Sequence, residues 1–165
     1  MQHVQTRSTT SALVLTAVLI ALATLFTMYT KIPVPGIRGY FNVGDVVIMT
    51  SALLLGRKYG AYIGAIGPAL ADLFLGYAVF VPITFVVKGI EGYLVGTVYN
   101  NKTTTSALAA TILGGIIIVA GYFIAEYFVF DPGVAIASIL TNTIQAVMSV
   151  IVSMILYAIL RKRLR

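Results

Sequence analysis

The stretch Ser106–Phe130, SALAATILGGIIIVAGYFIAEYFVF, decides the fold class, because Glu126 is its only charged residue. It is longer than the about 20 residues that a helix needs to cross a ~30 Å hydrocarbon layer. Three other windows are long enough and predominantly apolar: Ser11–Thr30, Val79–Tyr99 and Val134–Leu160. Lipid offers no hydrogen-bond partners to the backbone, so these windows are expected to be transmembrane helices.

The composition leaves little room for a soluble part, since 59% of the residues are hydrophobic, 10% are charged and the mean hydropathy is +1.00. Two shorter segments, Val43–Leu55 and Tyr59–Tyr77, lie between the first two windows. We therefore predict an all-α membrane protein whose residues 1–165 form a single transmembrane domain. Its six helices are expected at about 11–30, 43–55, 59–77, 79–99, 106–130 and 134–160.

The positions of the charges that give the net charge of +6 indicate a membrane topology and not a nucleic-acid partner. With six crossings and a cytoplasmic N-terminus, only Lys31 and Arg38 remain outside and Lys88 falls within a helix. The other cations lie inside: Arg7, Arg57, Lys58, Lys102, Arg161, Lys162, Arg163 and Arg165. This is the positive-inside pattern. It predicts a multi-pass membrane protein with both termini in the cytoplasm. A re-entrant second segment would give five crossings and a poorer asymmetry.

The first external connection, Lys31–Phe41, carries two prolines that stiffen the backbone and ends on the aromatic residues Tyr40 and Phe41. It is either a lid over an outward-facing cavity or a plain connector.

Several ionisable and polar residues lie deep in the predicted helices. Lys88 is near the middle of the fourth helix, and Thr84 and Glu91 project from the same face. A central Lys costs roughly 2.5–3.5 kcal/mol on insertion scales, and pairing of Lys88 with Glu91 would lower that cost. Tyr122 and Glu126 are one turn apart on the fifth helix. These residues are expected to face the interior of the bundle.

The last helix carries a polar stripe on an otherwise apolar span, made of Ser138, Thr141, Asn142, Gln145 and Ser149. Side chains of this kind can join helices through hydrogen bonds, which is the interpretation preferred for Ser138 and Ser149. For Asn142 and Gln145, as for Lys88 and Glu91, a substrate pocket is favoured.

Polar residues at the start of the second helix and at the end of the third each allow two interpretations. Asn42 and Asp45 resemble a capping box at the start of the second helix, or else present polar groups to a ligand under the lid. Asp72 either binds ligand or neutralises Lys88 or Arg38.

Absent motifs narrow the function. The chain has no cysteine and one histidine, so no metal site is expected, and no cofactor is indicated. It has no Gly-rich phosphate loop and no hydrolase motif, so an enzymatic activity is not expected.

Small residues mark close helix contacts. Gly60, Gly64, Gly67 and Ala71 form one face of the third helix, and Ala17 and Ala21 form a second patch on the first. Packing within the protein is the default interpretation of both patches.

The order and spacing of six short motifs resemble the substrate-binding S components of energy-coupling factor (ECF) vitamin transporters, most closely the hydroxymethylpyrimidine or pyridoxine type. The motifs are Phe41-Asn-Val-Gly-Asp45, Leu55-Gly-Arg-Lys-Tyr-Gly60, Gly64-Ala-Ile-Gly67, Ala71-Asp-Leu-Phe-Leu-Gly-Tyr77, Pro82-Ile-Thr84 and Lys88-Gly-Ile-Glu-Gly92.

The resemblance implies six helices, an external pocket under the first loop, a transmembrane coupling subunit and two ATPase subunits as partners. It also implies that Ala17 and Ala21 meet the coupling subunit. The expected function is high-affinity binding of hydroxymethylpyrimidine or a vitamin B6 form for import. The substrate-binding residues are predicted to be Tyr40, Phe41, Asn42, Asp72, Thr84, Lys88, Glu91, Tyr122, Asn142 and Gln145. The alternatives are a riboflavin or other vitamin S component, and a stand-alone proton-coupled transporter using Glu91 or Glu126.

Overall fold

A computed structural model describes residues 9–33, 40–99 and 103–163 of the chain. Six helices follow one another in this part of the sequence, with two short strands after the first. The helices are α1 (Thr9–Tyr29), α2 (Gly44–Leu55), α3 (Arg57–Phe74), α4 (Phe80–Val98), α5 (Thr104–Val129) and α6 (Pro132–Arg163); the strands are β1 (Ile32–Pro33) and β2 (Tyr40–Phe41). The predicted all-helical class is confirmed, and the predicted helix bounds lie within a few residues of the observed ones.

Four of these helices are long and apolar enough to cross a membrane: α1, α4, α5 and α6. By contrast, α2 has 12 residues, which at 1.5 Å per residue gives about 18 Å. It is therefore shorter than the ~30 Å hydrocarbon layer. Ten of its residues are buried, so α2 is an internal helix of the bundle.

The other five helices surround α2. Neighbours along this ring are α1 with α3, α3 with α4, α4 with α5, and α5 with α6. In the described part of the chain no Cα atoms of α1 and α6 lie within 8 Å of each other, and α2 fills the gap between these two helices. At Gly56, which has a φ of +93°, the chain turns sharply from α2 into α3. Glycine adopts this left-handed backbone without the steric cost of a side chain.

Small residues bring α3 close to its neighbours, as their spacing predicted. A Cβ on Gly60 would lie 2.5 Å from the backbone oxygen of Gly92 in α4, and a Cβ on Gly67 would lie 2.7 Å from the Cβ of Ala23 in α1. The patch on α3 thus serves packing inside the protein, in keeping with the default interpretation of its sequence.

The connection between α1 and α2 begins and ends in a short antiparallel ladder, in which Ile32 pairs with Phe41 and Pro33 with Tyr40. It is also fixed at its end, where the backbone N–H of Val43 donates to Thr30 Oγ1 at 3.0 Å. The middle of the predicted lid, residues 34–39, lies outside the described residues.

Candidate functional site

A polar cavity lies at the end of the bundle where α2, α4 and α6 begin and α1, α3 and α5 end. We call this end of the molecule the cavity half. The cavity is lined by Thr27, Asn42, Pro68, Asp72, Phe80, Thr84, Lys88, Tyr122, Glu126, Ser138, Thr141, Asn142 and Gln145. All helices except α2 contribute residues to the lining. Asn42, which lies two residues before the start of α2, also lines the cavity.

Lys88 and Asp45 form a buried ion pair at the base of the cavity. The exposed fraction of each side chain is 1% or less. The Lys88 ammonium also lies 3.8 Å from Glu91 Oε2 and 5.4 Å from the centre of the Tyr122 ring, a distance typical of a cation–π contact. A buried charge is tolerated only with such partners, because its desolvation is costly.

Gln145 of α6 completes this network. Its Nε2 donates to Asp45 Oδ2 at 2.7 Å, and its Oε1 accepts from the backbone N–H of Asn42 at 3.0 Å. The Asn42 side chain accepts in turn from the backbone N–H of Gly44 at 2.9 Å. The base of the cavity therefore joins α2, α4 and α6 and reaches the end of β2.

Two further pairs line the walls. Thr84 Oγ1 and Tyr122 Oη are 2.9 Å apart and link α4 to α5. Glu126 near the end of α5 is hydrogen-bonded to the Ser138 hydroxyl of α6, which also lies 2.9 Å from the backbone oxygen of Ala135. Glu126 and Ser138 are 3% and 2% exposed. Ser138, interpreted from its sequence as a helix contact, thus belongs to the cavity wall as well.

Seven of the predicted substrate-binding residues line the cavity: Asn42, Asp72, Thr84, Lys88, Tyr122, Asn142 and Gln145. Glu91 does not. It is fully buried beyond the Lys88–Asp45 pair, against Gly114 of α5. Tyr40 and Phe41 lie in β2, but their side chains lie outside the described residues.

One of the two sequence-based interpretations of Asp45 was wrong, and the pairing of Lys88 was incomplete. Asp45 does not cap α2: the N-cap residue is Val43, without a side-chain cap, and the Asp45 carboxylate contacts Lys88 and Gln145 instead. Lys88 pairs with Glu91 as expected, at 3.8 Å from Oε2, but its closer, hydrogen-bonded partner is Asp45. Buried charge favours the partner with better geometry, and here that partner comes from another helix.

Thr27, Pro68, Phe80, Ser138, Thr141 and Glu126 also line the cavity but were not among the predicted binding residues. Thr27 and Phe80 carry no periodic polar pattern that would have placed them there. The polar stripe on α6 did contain Ser138 and Thr141, and Glu126 shares a helix face with Tyr122.

Ala17 and Ala21 are both exposed on α1, on a surface surrounded by exposed apolar side chains such as Leu13, Val14 and Val18. They take no part in packing within the described chain, which corrects the default interpretation of this patch.

The fold and the cavity together define a class, a helical membrane protein with a small polar cavity at one end of its bundle. A sequence model of the family described as ECF-type riboflavin transporter, S component, matches residues 7–162. The chain belongs to this family of ECF-type S components. It is the substrate-binding subunit of an ECF importer, and not in itself an enzyme.

Similar proteins agree with this assignment. The chain is 41% identical to an uncharacterized protein in gap 3'region of Pyrococcus woesei, over 86% of this chain and 95% of that one. It is 28% identical to the thiamine precursor transporter HmpT of Lactococcus lactis, over 89% of this chain and 83% of that one. A solved S component of a bacterial ECF transporter shares the fold, with a TM-score of 0.75 and 22% identity over 93% of this chain and 96% of that one.

Proposed function

We propose that the chain binds hydroxymethylpyrimidine or a vitamin B6 form with high affinity and delivers it for ATP-driven import. The observation that carries this proposal is the small polar cavity built on Lys88, Asp45 and Gln145. Its relative HmpT, named as a thiamine precursor transporter, supports a pyrimidine ligand.

The size of the cavity favours a ligand with one ring. Its free volume is about 40 Å³, and a site for one water needs roughly 10–15 Å³ on this measure. About three water-sized positions are fewer than a substituted six-membered ring needs, so even a one-ring ligand requires some outward movement of the walls. The three fused rings of riboflavin would require a much larger movement.

The chemistry of the lining favours a heteroaromatic ligand with polar substituents. The Tyr122 ring provides an apolar face. Thr84, Asn142 and Lys88 provide hydrogen-bond donors for ring nitrogens and a hydroxymethyl oxygen. A buried polar group without a partner costs about 1–3 kcal/mol, so a ligand that matches these groups should be selected strongly over one that does not.

A ligand panel tests the proposal directly. The purified chain is titrated with hydroxymethylpyrimidine, pyridoxine, pyridoxamine, thiamine and riboflavin, and unfolding temperature and calorimetric Kd are recorded. A ligand at about 100 times its Kd stabilises the folded chain by about 2.7 kcal/mol, which a thermal scan detects. The proposal predicts a clear shift with a one-ring compound and a smaller shift or none with riboflavin. Stabilisation by riboflavin alone would replace it with the riboflavin alternative.

We further propose that import requires a transmembrane coupling subunit and two ATPase subunits, and that Ala17 and Ala21 form the docking patch for the coupling subunit. Their exposure on α1 supports this. In proteoliposomes, uptake should need all partners and ATP. Substrate accumulation by the chain alone, driven by a proton gradient, would instead favour the stand-alone transporter that uses Glu91 or Glu126.

For the membrane topology we propose one transmembrane domain with six crossings and both termini in the cytoplasm of a prokaryotic cell. The charge distribution supports it, since Arg57, Lys58, Arg161 and Lys162 fall on one side in this arrangement. The chain has no cysteine, so single cysteines report cleanly. Lys31→Cys should react with a membrane-impermeant maleimide in intact cells, and Lys58→Cys only after permeabilisation. Labelling of Lys58→Cys in intact cells would favour five crossings.

A further inference from the structure

The charges on the cavity lining are unevenly distributed. Three described lining residues are charged: Asp72, Lys88 and Glu126. The Lys88 ammonium is already matched by Asp45, with the Glu91 carboxylate 3.8 Å away. The lining therefore offers a ligand carboxylate groups from α3 and α5, while its one described cation is engaged at the base.

Glu126 is the carboxylate best placed to meet a ligand. It is 3% exposed and borders the cavity. Its Oε2 is hydrogen-bonded to Ser138, whereas Oε1 has no hydrogen-bond partner among the described residues. Oε1 is not among the buried side-chain atoms that lack a partner, so it is open to the cavity, where a ligand donor can reach it.

We propose that Glu126 is a specificity-determining residue of the cavity, accepting a hydrogen bond from an exocyclic amino group or a protonated nitrogen of the ligand. This inference rests on the proposed function and narrows it: the ligand is an amino-bearing, unphosphorylated heteroaromatic compound. Ser138 holds the carboxylate in place from α6. A phosphate ester, which carries about −1.5 to −2 charge at pH 7, is repelled by Glu126 and Asp72.

The ligand that fits is an aminopyrimidine with a hydroxymethyl group, or pyridoxamine among the vitamin B6 forms. Pyridoxine has the hydroxymethyl groups without the amine, and it should bind more weakly. The amino group is expected to determine the difference in affinity between these compounds, because each of them has one six-membered ring.

The test compares three ligands on the full chain by calorimetry: hydroxymethyl-aminopyrimidine, its analogue with hydrogen in place of the amino group, and its phosphate ester. In the wild-type chain the deamino analogue should bind at least about 10-fold more weakly, since Glu126 loses its donor. The phosphate ester should bind about 100-fold more weakly or worse, from like-charge repulsion. Equal affinity for all three compounds overturns the inference without requiring any variant.

Two substitutions then separate charge from hydrogen bonding. Glu126→Gln keeps an acceptor and removes the charge, so discrimination against the phosphate ester should fall by about 10-fold. Glu126→Met removes the acceptor, so the amino and deamino compounds should bind within about threefold of each other. Glu91→Gln is the matched control, a buried carboxylate outside the cavity lining, and should leave both ratios at their wild-type values.

The outcomes distinguish this inference from the proposed function. If the aminopyrimidine binds and neither Glu126 substitution changes the two ratios, the role of Glu126 is overturned while the proposed function stands. If Glu91→Gln changes the ratios as much as Glu126→Gln does, the selectivity belongs to the whole charged interior, and the inference is again overturned. If no pyrimidine or pyridine compound binds the wild-type chain, both proposals fall.

Discussion

The two halves of the bundle use the same helices in opposite ways. In the cavity half, α4 directs Thr84 and Lys88 inward, and their partners come from α2 and α5. In the other half, which we call the apolar half, the same helix presents Gly92 and Val95 to its neighbours. The core there consists of Met49, Ala52, Leu53, Val95, Ala107, Ala110, Ile118 and Tyr157.

The difference follows from the size and polarity of the side chains at the helix contacts. A Cβ on Gly60 would meet the α4 backbone at 2.5 Å, so in the apolar half the backbones approach closely. In the cavity half α3 also packs closely on α4, at Gly64, but polar side chains of α4, α5 and α6 project into the interior instead of apolar ones. The space that remains between them is the cavity. Close packing thus fixes the frame, and buried polar groups shape the site within it.

The largest effect is expected from removing the cation of the cavity half. Lys88→Met leaves Asp45 and Glu91 as buried carboxylates without their cation. Breaking a buried pair in this way costs about 3–5 kcal/mol, and ligand binding should be lost with it. Thermal and denaturant unfolding in detergent measure the stability. Lys162→Met, on the exposed end of α6, is the control and should be close to wild type; equal stability of the two variants would show that the pair does not hold the cavity half together.

The close packing of the apolar half is tested by a substitution that adds one methyl group. Gly92→Ala places a Cβ against the Gly60 backbone, so α3 and α4 must separate, and overpacking of this kind costs about 1–3 kcal/mol. Gly89→Ala on the same helix meets the Ala65 Cβ at 3.2 Å and no backbone atom closer than 3.7 Å. The unfolding temperature of Gly92→Ala should therefore be clearly the lower of the two. The reverse order would contradict the role of close packing in this half.

A smaller effect on stability, but a clear effect on binding, is expected from Asn142→Leu. Asn142 lines the cavity and is only partly buried, so the fold should persist. Affinity for the ligand should fall at least about tenfold, or ~1.4 kcal/mol, because the ligand loses a polar partner. Calorimetric titration measures it, with Thr143→Leu on the exposed neighbouring position as control. Unchanged affinity in Asn142→Leu would make this residue a helix contact.

The smallest effect on the isolated chain is expected from Ala17→Leu combined with Ala21→Leu. Both positions are exposed on α1 and belong to neither half's interior, so stability and ligand affinity should remain within experimental error of the wild type. Copurification with the coupling subunit should be abolished. If ligand binding is lost as well, the patch is an internal contact and not a docking surface.

Much of the helical framework of the protein could be predicted from local sequence. Long apolar windows predict helices because a backbone in lipid must satisfy its own hydrogen bonds. The glycine spacing on α3 predicted a close contact, since small residues at helical spacing leave a smooth face. Lys88, Asn142 and Gln145 were identified as interior residues because polar groups in an apolar span need partners.

Sequence reasoning missed the role of Asp45, because its partners lie far along the chain. Asp45 and Gln145 are hydrogen-bonded across 100 positions, and Asp45 pairs with Lys88 across 43. A capping box and a pair three residues apart are local explanations, and each was sufficient for its own segment. Neither could include a competing partner from another helix.

The sequence by itself determined that this chain is a helical membrane protein and where its helices lie. It also determined that polar groups are buried among these helices. Each of these conclusions follows from periodicity and hydropathy within one segment. Only the tertiary structure decided that α2 lies inside the ring, that Asp45 and not Glu91 is the hydrogen-bonded partner of Lys88, and that Glu126 borders the cavity. The physical reason is that a buried charge selects its partner by distance and geometry in three dimensions, and helix packing alone sets those distances.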